Sequence, residues 1–507
     1  MRQSKIFAFL ALTVLFSCTK LDENFRSELE TNNTQNITAA QLLVGAYNGL
    51  QGPINHQGNL WSASEITSDE AIAPTRGPDW DDNGLWRALH EQSWNADHSF
   101  LSGGYNALLG TQFAASNVLQ FNPTAQQAAE AKFIRALSMF YVVDGWDQVP
   151  YREDLTNYKI LPTTLAGTQV TDFIISEINS IMGSLPATGP AFVANQNAAK
   201  ALLMKVYLNT GVYANRSSPT FDAVDMAKVI SLADEIMSGS QYSLANNYFD
   251  NFAPDNANIS TENIFTLYNE NGDRGGNVAA STFSVNHYNM NPGGWNGFST
   301  LSEFYDKFEA TDTRRGMYYN YPQGLPNPGK RQNIGYLIGQ QYDLTTDAPL
   351  NDRKGNPLVF TRDVSLRETG NNLEVTGIRP DKYPYDYPHR DAQQNNDWVI
   401  FRLGDVMLMK AEAQLRSGDA PGALITMNLL RVKRGATPLL TADLTTVLEE
   451  RGRELWWEGW RRNDQIRFGT WLAAWHDKPA SSATQLIFPI PNNQLAVNPN
   501  LTQNPGY

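Results

Sequence analysis

Apolar residues recur with helical spacing toward both ends of the chain and lose that spacing in the middle. From Thr38 to Leu50, Ala39, Leu42, Leu43, Ala46 and Tyr47 fall on one face and predict a helix. Asn55 to Asp82 has no such period and is expected to be irregular. Trp86 to His90 predicts a short helix and Tyr105 to Gln120 a longer one. The signal strengthens from Ala125, where Ala128 to Tyr141 places small residues on a packing face. Thr171 to Met182 follows, with Asp172 suited to a helix N-terminus. Asn197 to Asn209 is expected to end before Gly211, and Asp222 to Ser238 to stop at Gly239.

Residues 245–395 are rich in Asn, Gly, Pro, Tyr and Asp, with short strand-like pieces such as Asn263 to Tyr268. An irregular region of that length is usually functional or a set of ordered insertions. Helical spacing then returns in Gly404 to Arg416, in Ala420 to Arg434 after a Ser417-Gly418-Asp419 turn, and in Leu444 to Trp460. Helix pairs joined by short Gly-containing turns are the unit of tetratricopeptide-like arrays, but the strict 34-residue signature is absent. Degenerate helical hairpins are therefore expected rather than a regular solenoid.

The start of the chain has a different pattern. Arg2 and Lys5 precede an apolar run from Ile6 to Phe16, followed by Ser17 and Cys18. The run is too short for a membrane span, which needs about 20 apolar residues, and fits a signal peptide over 1–17. Cys18 is the only cysteine in 507 residues. A small residue before this cysteine resembles a bacterial lipobox, in which the thiol is diacylated and becomes the new N-terminus. Residues 18–37 then form a polar tether. Several acyl chains hold a soluble body on a membrane stably, which implies work at a surface outside the cytoplasm. A single cysteine also excludes an intramolecular disulfide.

Composition narrows the ligand. The formal net charge of -13 argues against nucleic acid and against a basic membrane-binding patch. Aromatic residues make up 11% of the chain, with 12 Trp, and several lie among Asp, Asn and Gly rather than in apolar runs. Such clusters suit a ligand with apolar faces and hydroxyl edges, which describes a sugar ring.

Most catalytic and metal motifs are missing. The six histidines form no HExxH pair, one cysteine permits no thiolate zinc site, and no GxSxG elbow occurs. Gly324 to Lys330 begins like a phosphate loop, but Arg331 replaces the metal-binding Ser/Thr and Pro326 and Pro328 spoil the cradle, so a turn is expected. Asp79 to Gly84 begins like a calcium loop, yet the twelfth position holds His90 instead of a bidentate Glu. No metal or cofactor is expected. The same stretch offers a sugar two indole faces, Trp80 and Trp86, and acceptors in Asp81, Asp82 and Asn83. Trp86 could equally plug the core. Asn286 to Phe298 is a second candidate, with Trp295 and Asn296 among Gly293, Gly294 and Gly297. The expected platform is therefore Trp80, Trp86 and Trp295, with hydrogen bonds from Asp81 and Asn296. It requires the fold to join stretches some 200 residues apart. Arg379 and Tyr383 to Tyr387 form a weaker cluster, expected to be structural.

Several segments together resemble a known family. After the lipobox come Asp22-Glu23-Asn24-Phe25, then Arg135-Ala136-Leu137 with Tyr141, and Trp146-Asp147-Gln148-Val149-Pro150-Tyr151. The C-terminal segments are the most specific: Phe401-Arg402-Leu403-Gly404-Asp405-Val406, Lys410-Ala411-Glu412-Ala413 and Arg431 to Gly435. Glu450-Arg451, Glu454-Leu455, Glu458-Gly459, Arg461-Arg462, Asp464, Arg467-Phe468-Gly469 and Phe488-Pro489-Ile490-Pro491 complete the pattern. It resembles SusD/RagB proteins of the Bacteroidetes outer membrane and covers essentially the whole mature chain. The resemblance implies a mostly α fold with four degenerate tetratricopeptide-like helix pairs and a large loop-rich region with short strands. Its regions would be 38–244, 245–395 and 396–507. It also implies a lipid-anchored, surface-exposed protein that caps a SusC-like TonB-dependent transporter and helps load oligosaccharide or polysaccharide into it, without being an enzyme. Glu454, Glu458, Arg461 and Asp464 would then be scaffold charges pairing along helix faces. Two alternatives stay open: a lipid-anchored glycoside hydrolase using carboxylates of the middle region, and a peptide-binding or structural partner of the barrel.

Overall fold

Small side chains decide where the helices meet. In the computed structural model, which describes residues 37–152, 155, 157, 159–270, 278–321, 325–389 and 394–507, the helix Ala125–Trp146 buries Ala129, Ala131 and Ala136. It is started by a capping box in which the Thr124 hydroxyl accepts from the Gln127 N–H. It packs on Thr168–Ile181, as Ala39–Gly49 packs on Ser99–Val118, Gln196–Ala214 on Ala223–Ser238, and Leu403–Arg416 on Ala420–Lys433. Each pair also touches the next, so the four form one continuous helical scaffold. The fourth pair joins it only after the chain has passed through the irregular middle. The signal peptide, Cys18, the tether up to residue 36, and Gly324 lie outside the described residues.

Three elements differ from their sequence expectation. Leu60–Ile66 is a helix within the stretch expected to be irregular. All seven of its residues are buried, so it has no polar face to generate a period. The helix from Gln196 does not stop at Gly211 but runs to Ala214. Gly211 is instead a point of close approach, where a Cβ would lie 1.7 Å from the carbonyl oxygen of Thr220. The helix expected over Leu444 to Trp460 ends at Leu455. Trp456 is extended, Trp457 takes φ 64°, and a second helix covers Arg461–Arg467. Two buried carboxylates stabilise the break: Glu70 accepts the Trp457 N–H at 2.5 Å and Glu65 accepts the Gly459 N–H at 2.5 Å. Both indoles at the break are fully buried.

The charges around this break find partners across the fold more than along one helix face. Arg461 binds Asp69 through two bonds of 2.6 and 2.8 Å. Arg402 reaches Glu458 at 2.9 and 2.7 Å, and Arg451 reaches Asp464 at 2.8 Å. Burial alone would raise Asp69, Glu450 and Asp464, but the surrounding guanidiniums outweigh it. Glu450 is held at about 2 by Arg314, Arg453 and Arg431, and Asp464 at about 2 by Arg451 and Arg467.

Short strand pairs fix the middle region to the scaffold. Asn263–Leu267 runs antiparallel to Trp398–Arg402, and all ten residues are buried. Arg379–Asp381 pairs with Ile334–Leu337, which pairs with Gly316–Met317. Ala71 faces Thr300 and Ile72 faces Ser299 in an antiparallel pair, while Thr75–Arg76 runs parallel to Arg367–Glu368. One large apolar cluster draws residues from Ala39 to Leu501, and residues 39–507 form one unit. Among the described residues no helix is long and apolar enough to cross a membrane.

Candidate functional site

The pairing of Ala71–Ile72 with Ser299–Thr300 brings the two tryptophan stretches together. One chain leaves the pair toward Trp80, and the other arrives from Trp295. Between them the backbone is forced into unusual conformations. Trp80, Asp82, Asn83 and Gly84 all have positive φ, at 60°, 36°, 53° and 83°. Non-glycine residues in this region cost energy and cluster at ligand sites. A short helix, Leu85–His90, follows and turns Trp86 inward.

Trp80 is seated by the opposite stretch. Its indole N–H donates to the Trp295 carbonyl at 2.8 Å. A Cβ at Gly297 would lie 2.2 Å from Trp80 Cζ2, so only glycine leaves room for the ring. The Gly297 loop is anchored to the preceding helix, with the Trp295 N–H on the Phe283 carbonyl at 2.6 Å and the Gly297 N–H on Ser284 at 2.8 Å. Trp295 itself is 42% exposed and leans on Phe283, with ring centroids 5.6 Å apart.

Trp80, Trp86 and Trp295 all line one open cavity of about 510 Å³. They contribute unequally. Trp295 and the half-buried Trp80 present ring surface, whereas Trp86 is only 2% exposed. Trp86 lies 4.6 Å from Phe100, 5.0 Å from Phe298 and 5.4 Å from Trp80, so it is both core plug and cavity floor. Its indole N–H donates to Asp82 Oδ2 at 2.6 Å. Asp82, Asn83, His56 and Gln57 supply the polar edge.

The two polar residues singled out beside the tryptophans are placed differently. Asp81 is off the cavity wall, holding Arg87 at 2.5 Å. Asn296 is 1% exposed and its Oδ1 accepts from Arg379 at 2.8 Å, which keeps it beneath the loop. Arg379 and Arg76 lie buried there with no carboxylate in contact among the described residues, and both donate to the Ser299 hydroxyl. Burial pushes Arg76 down to about 10. His56, Gln57 and Phe100 join the cavity without any sequence signal of their own.

No group of three or more His, Cys, Asp or Glu able to hold a metal occurs among the described residues. The arrangement offers two open indole faces, a buried indole floor and polar edge groups. It can stack a flat apolar surface while hydrogen-bonding its rim.

Comparison with known proteins agrees with this architecture. The family model described as the SusD family matches residues 231–479. The starch-binding protein SusD of Bacteroides thetaiotaomicron is 27% identical over 420 residues, covering 76% of this chain and 73% of that protein. A SusD superfamily protein from Parabacteroides distasonis superposes with a TM-score of 0.70 at 18% identity, over 92% of this chain and 98% of that one. The surface glycan-binding protein A of Bacteroides thetaiotaomicron, solved with laminarihexaose, gives a TM-score of 0.65 at 18% identity over 92% and 98% of the two chains. Residues 231–479 thus match the SusD family, and the described residues have the fold of SusD superfamily structures.

Proposed function

We propose that this protein is a cell-surface glycan-binding subunit of an outer-membrane importer, capturing oligosaccharide at the Trp80, Trp86 and Trp295 cavity and passing it to a SusC-like TonB-dependent barrel. The single observation behind this reading is the convergence of the three indoles on one open cavity, with the exposed Trp295 and the half-buried Trp80 presenting ring surface. A starch-binding relative and a structural neighbour solved with laminarihexaose support glycan as the ligand class. Capture without cleavage fits the state of the nearby acids. Asp81 is paired with Arg87 and Asp82 accepts from Trp86, so neither stands ready as one half of a hydrolytic carboxylate pair. Lipid anchoring through Cys18 would hold the cavity at the cell surface.

The test is calorimetric titration of the soluble chain with maltoheptaose and laminarihexaose, alongside an assay for new reducing ends. Trp295→Ala should weaken binding of whichever glycan binds at least tenfold, a loss of about 1.4 kcal/mol, with little change in melting temperature. Release of reducing ends would replace the binding reading with a hydrolase. Full affinity in the Trp80→Ala, Trp295→Ala double variant would place the ligand elsewhere.

A further inference from the structure

Behind the tryptophan cavity lies a second, more enclosed one of about 120 Å³. The loop after Phe283 separates the two: Asn286 and Asn291 line the enclosed cavity, and Trp295 lines the open one. Tyr321, Tyr385 and Tyr387 form part of its wall, with the Tyr387 ring edge-on to each of the other two at 5.2 Å. Asp381, at the end of the Arg379–Asp381 strand, reaches the same wall and is 6% exposed.

The hydrogen-bonding groups of this wall are unbalanced. Gln332 Nε2 donates to the Tyr336 carbonyl at 2.8 Å, Gln340 Nε2 to Leu350 at 2.9 Å and Gln341 Nε2 to Gly339 at 3.0 Å. Asn286 Nδ2 donates to the Pro292 carbonyl at 3.1 Å. Every one of these partners is a backbone carbonyl, which can only accept, so the amide orientations are fixed. With its Nδ2 turned to the Pro292 carbonyl, Asn286 presents its Oδ1 on the other side of the amide. Asn286 Oδ1 is buried without a partner, and Asn286 is 2% exposed. Asp381 receives only the Thr282 hydroxyl, at 3.3 Å, and has no cation in contact among the described residues. Arg331, the one cationic side chain on this wall, is bound to Asp347 at 2.8 Å and stacks on Tyr342. A buried polar group without a partner is costly, and a buried carboxylate without a cation more so.

We infer that this cavity is a second ligand site, built for a small protonated primary amine whose ammonium group would sit between Asp381, the Asn286 carbonyl oxygen and the tyrosine rings. An ammonium brings three donors and no acceptor, which suits an unpaired buried amide oxygen together with a carboxyl that has no cation in contact among the described residues. Aromatic faces around a carboxylate favour a cation further. The volume fits this scale, since a cavity of about 150 Å³ holds a benzene-sized molecule; it does not admit an oligosaccharide. Burial pushes Asp381 up to about 7, and a cation beside it would draw the carboxyl back toward its ordinary range. The site does not depend on the glycan reading of the open cavity.

The test is titration of the unaltered chain at about pH 7.5 with n-butylamine and its neutral counterpart 1-butanol, followed by glucosamine and glucose, read by ligand-observed NMR. Amine binding with no alcohol binding is the expected result and needs no variant. Glucosamine binding in addition to butylamine identifies the source as an amino sugar; butylamine alone identifies a free amine. Asp381→Asn, which keeps the side-chain volume, should weaken amine binding at least tenfold while the protein melts no lower than the unaltered chain. Equal binding of amine and alcohol, binding of neither amine, or undiminished amine affinity in Asp381→Asn would overturn the assignment.

Discussion

A methyl group at residue 297 would occupy the space of an indole. The Gly297 Cβ position lies 2.2 Å from Trp80 Cζ2 and 2.3 Å from Cε2, and neither ring nor loop can retreat far. The ring is tied to the Trp295 carbonyl, and the loop to Ser284. Gly297→Ala should therefore expel Trp80 from its seat, red-shift tryptophan emission and weaken glycan binding at least tenfold, about 1.4 kcal/mol. Unchanged emission and affinity would show that the Trp80 seat does not shape the cavity. The residue types that build the platform were visible in the sequence as indoles among Asp, Asn and Gly. The orientation of Asn296 was not. A polar side chain in a Gly-rich loop has the same local pattern whether it meets solvent or a buried guanidinium, and Arg379 lies 83 residues away.

At the level of elements, periodicity located the helices but could not locate the break after Leu455. The residues from Glu454 to Arg467 keep helical spacing, and the acceptors that stabilise the break, Glu65 and Glu70, belong to a distant segment. The same distance separates Arg461 from its partner Asp69, which binds it through two bonds of 2.6 and 2.8 Å. Removing one member of a fully buried pair costs about 3–5 kcal/mol. The partly exposed Asp69, which keeps Lys307 at 4.0 Å, brings the cost here down to about 2–3 kcal/mol. Arg461→Ala should lower stability by about that amount in denaturant titration and leave glycan specificity intact. The deficit has a definite pH dependence. Burial would raise Asp69, but Arg461 outweighs it and holds the carboxyl below its usual range. A carboxylate lowered on folding stabilises above its unfolded pKa, and that contribution fades as pH falls through the folded value. The deficit of Arg461→Ala should therefore be full at neutral pH and shrink in acid. A variant with unchanged melting and lost binding would make Arg461 part of the site instead of the scaffold.

For the whole molecule, the helices and the irregular middle were legible because apolar residues recur at helical spacing in the first and lose it in the second, while the count of four pairs came from the family resemblance. The meeting of residues 80 and 295 was not, because the strands that join them are two residues long, below the length at which alternation is detectable. The scaffold thus presents an open cavity built from its most irregular segments, and the proposed role in import would require that cavity to be held against the membrane. Cys18, outside the described residues, is the proposed means. It is the sole cysteine and follows directly on the apolar run that ends at Phe16-Ser17. A single acyl chain gives only marginal, reversible binding, whereas several hold stably, so blocking acylation should release the protein rather than merely loosen it. Cys18→Ala should leave the chain unprocessed or soluble, while its glycan affinity, measured on the purified protein, stays that of the unaltered chain. The decisive measurement is fractionation in cells lacking the proposed partner barrel, where docking on it could not substitute for the lipid. Mature Cys18→Ala protein that still partitions with the outer membrane there would require an anchor other than Cys18.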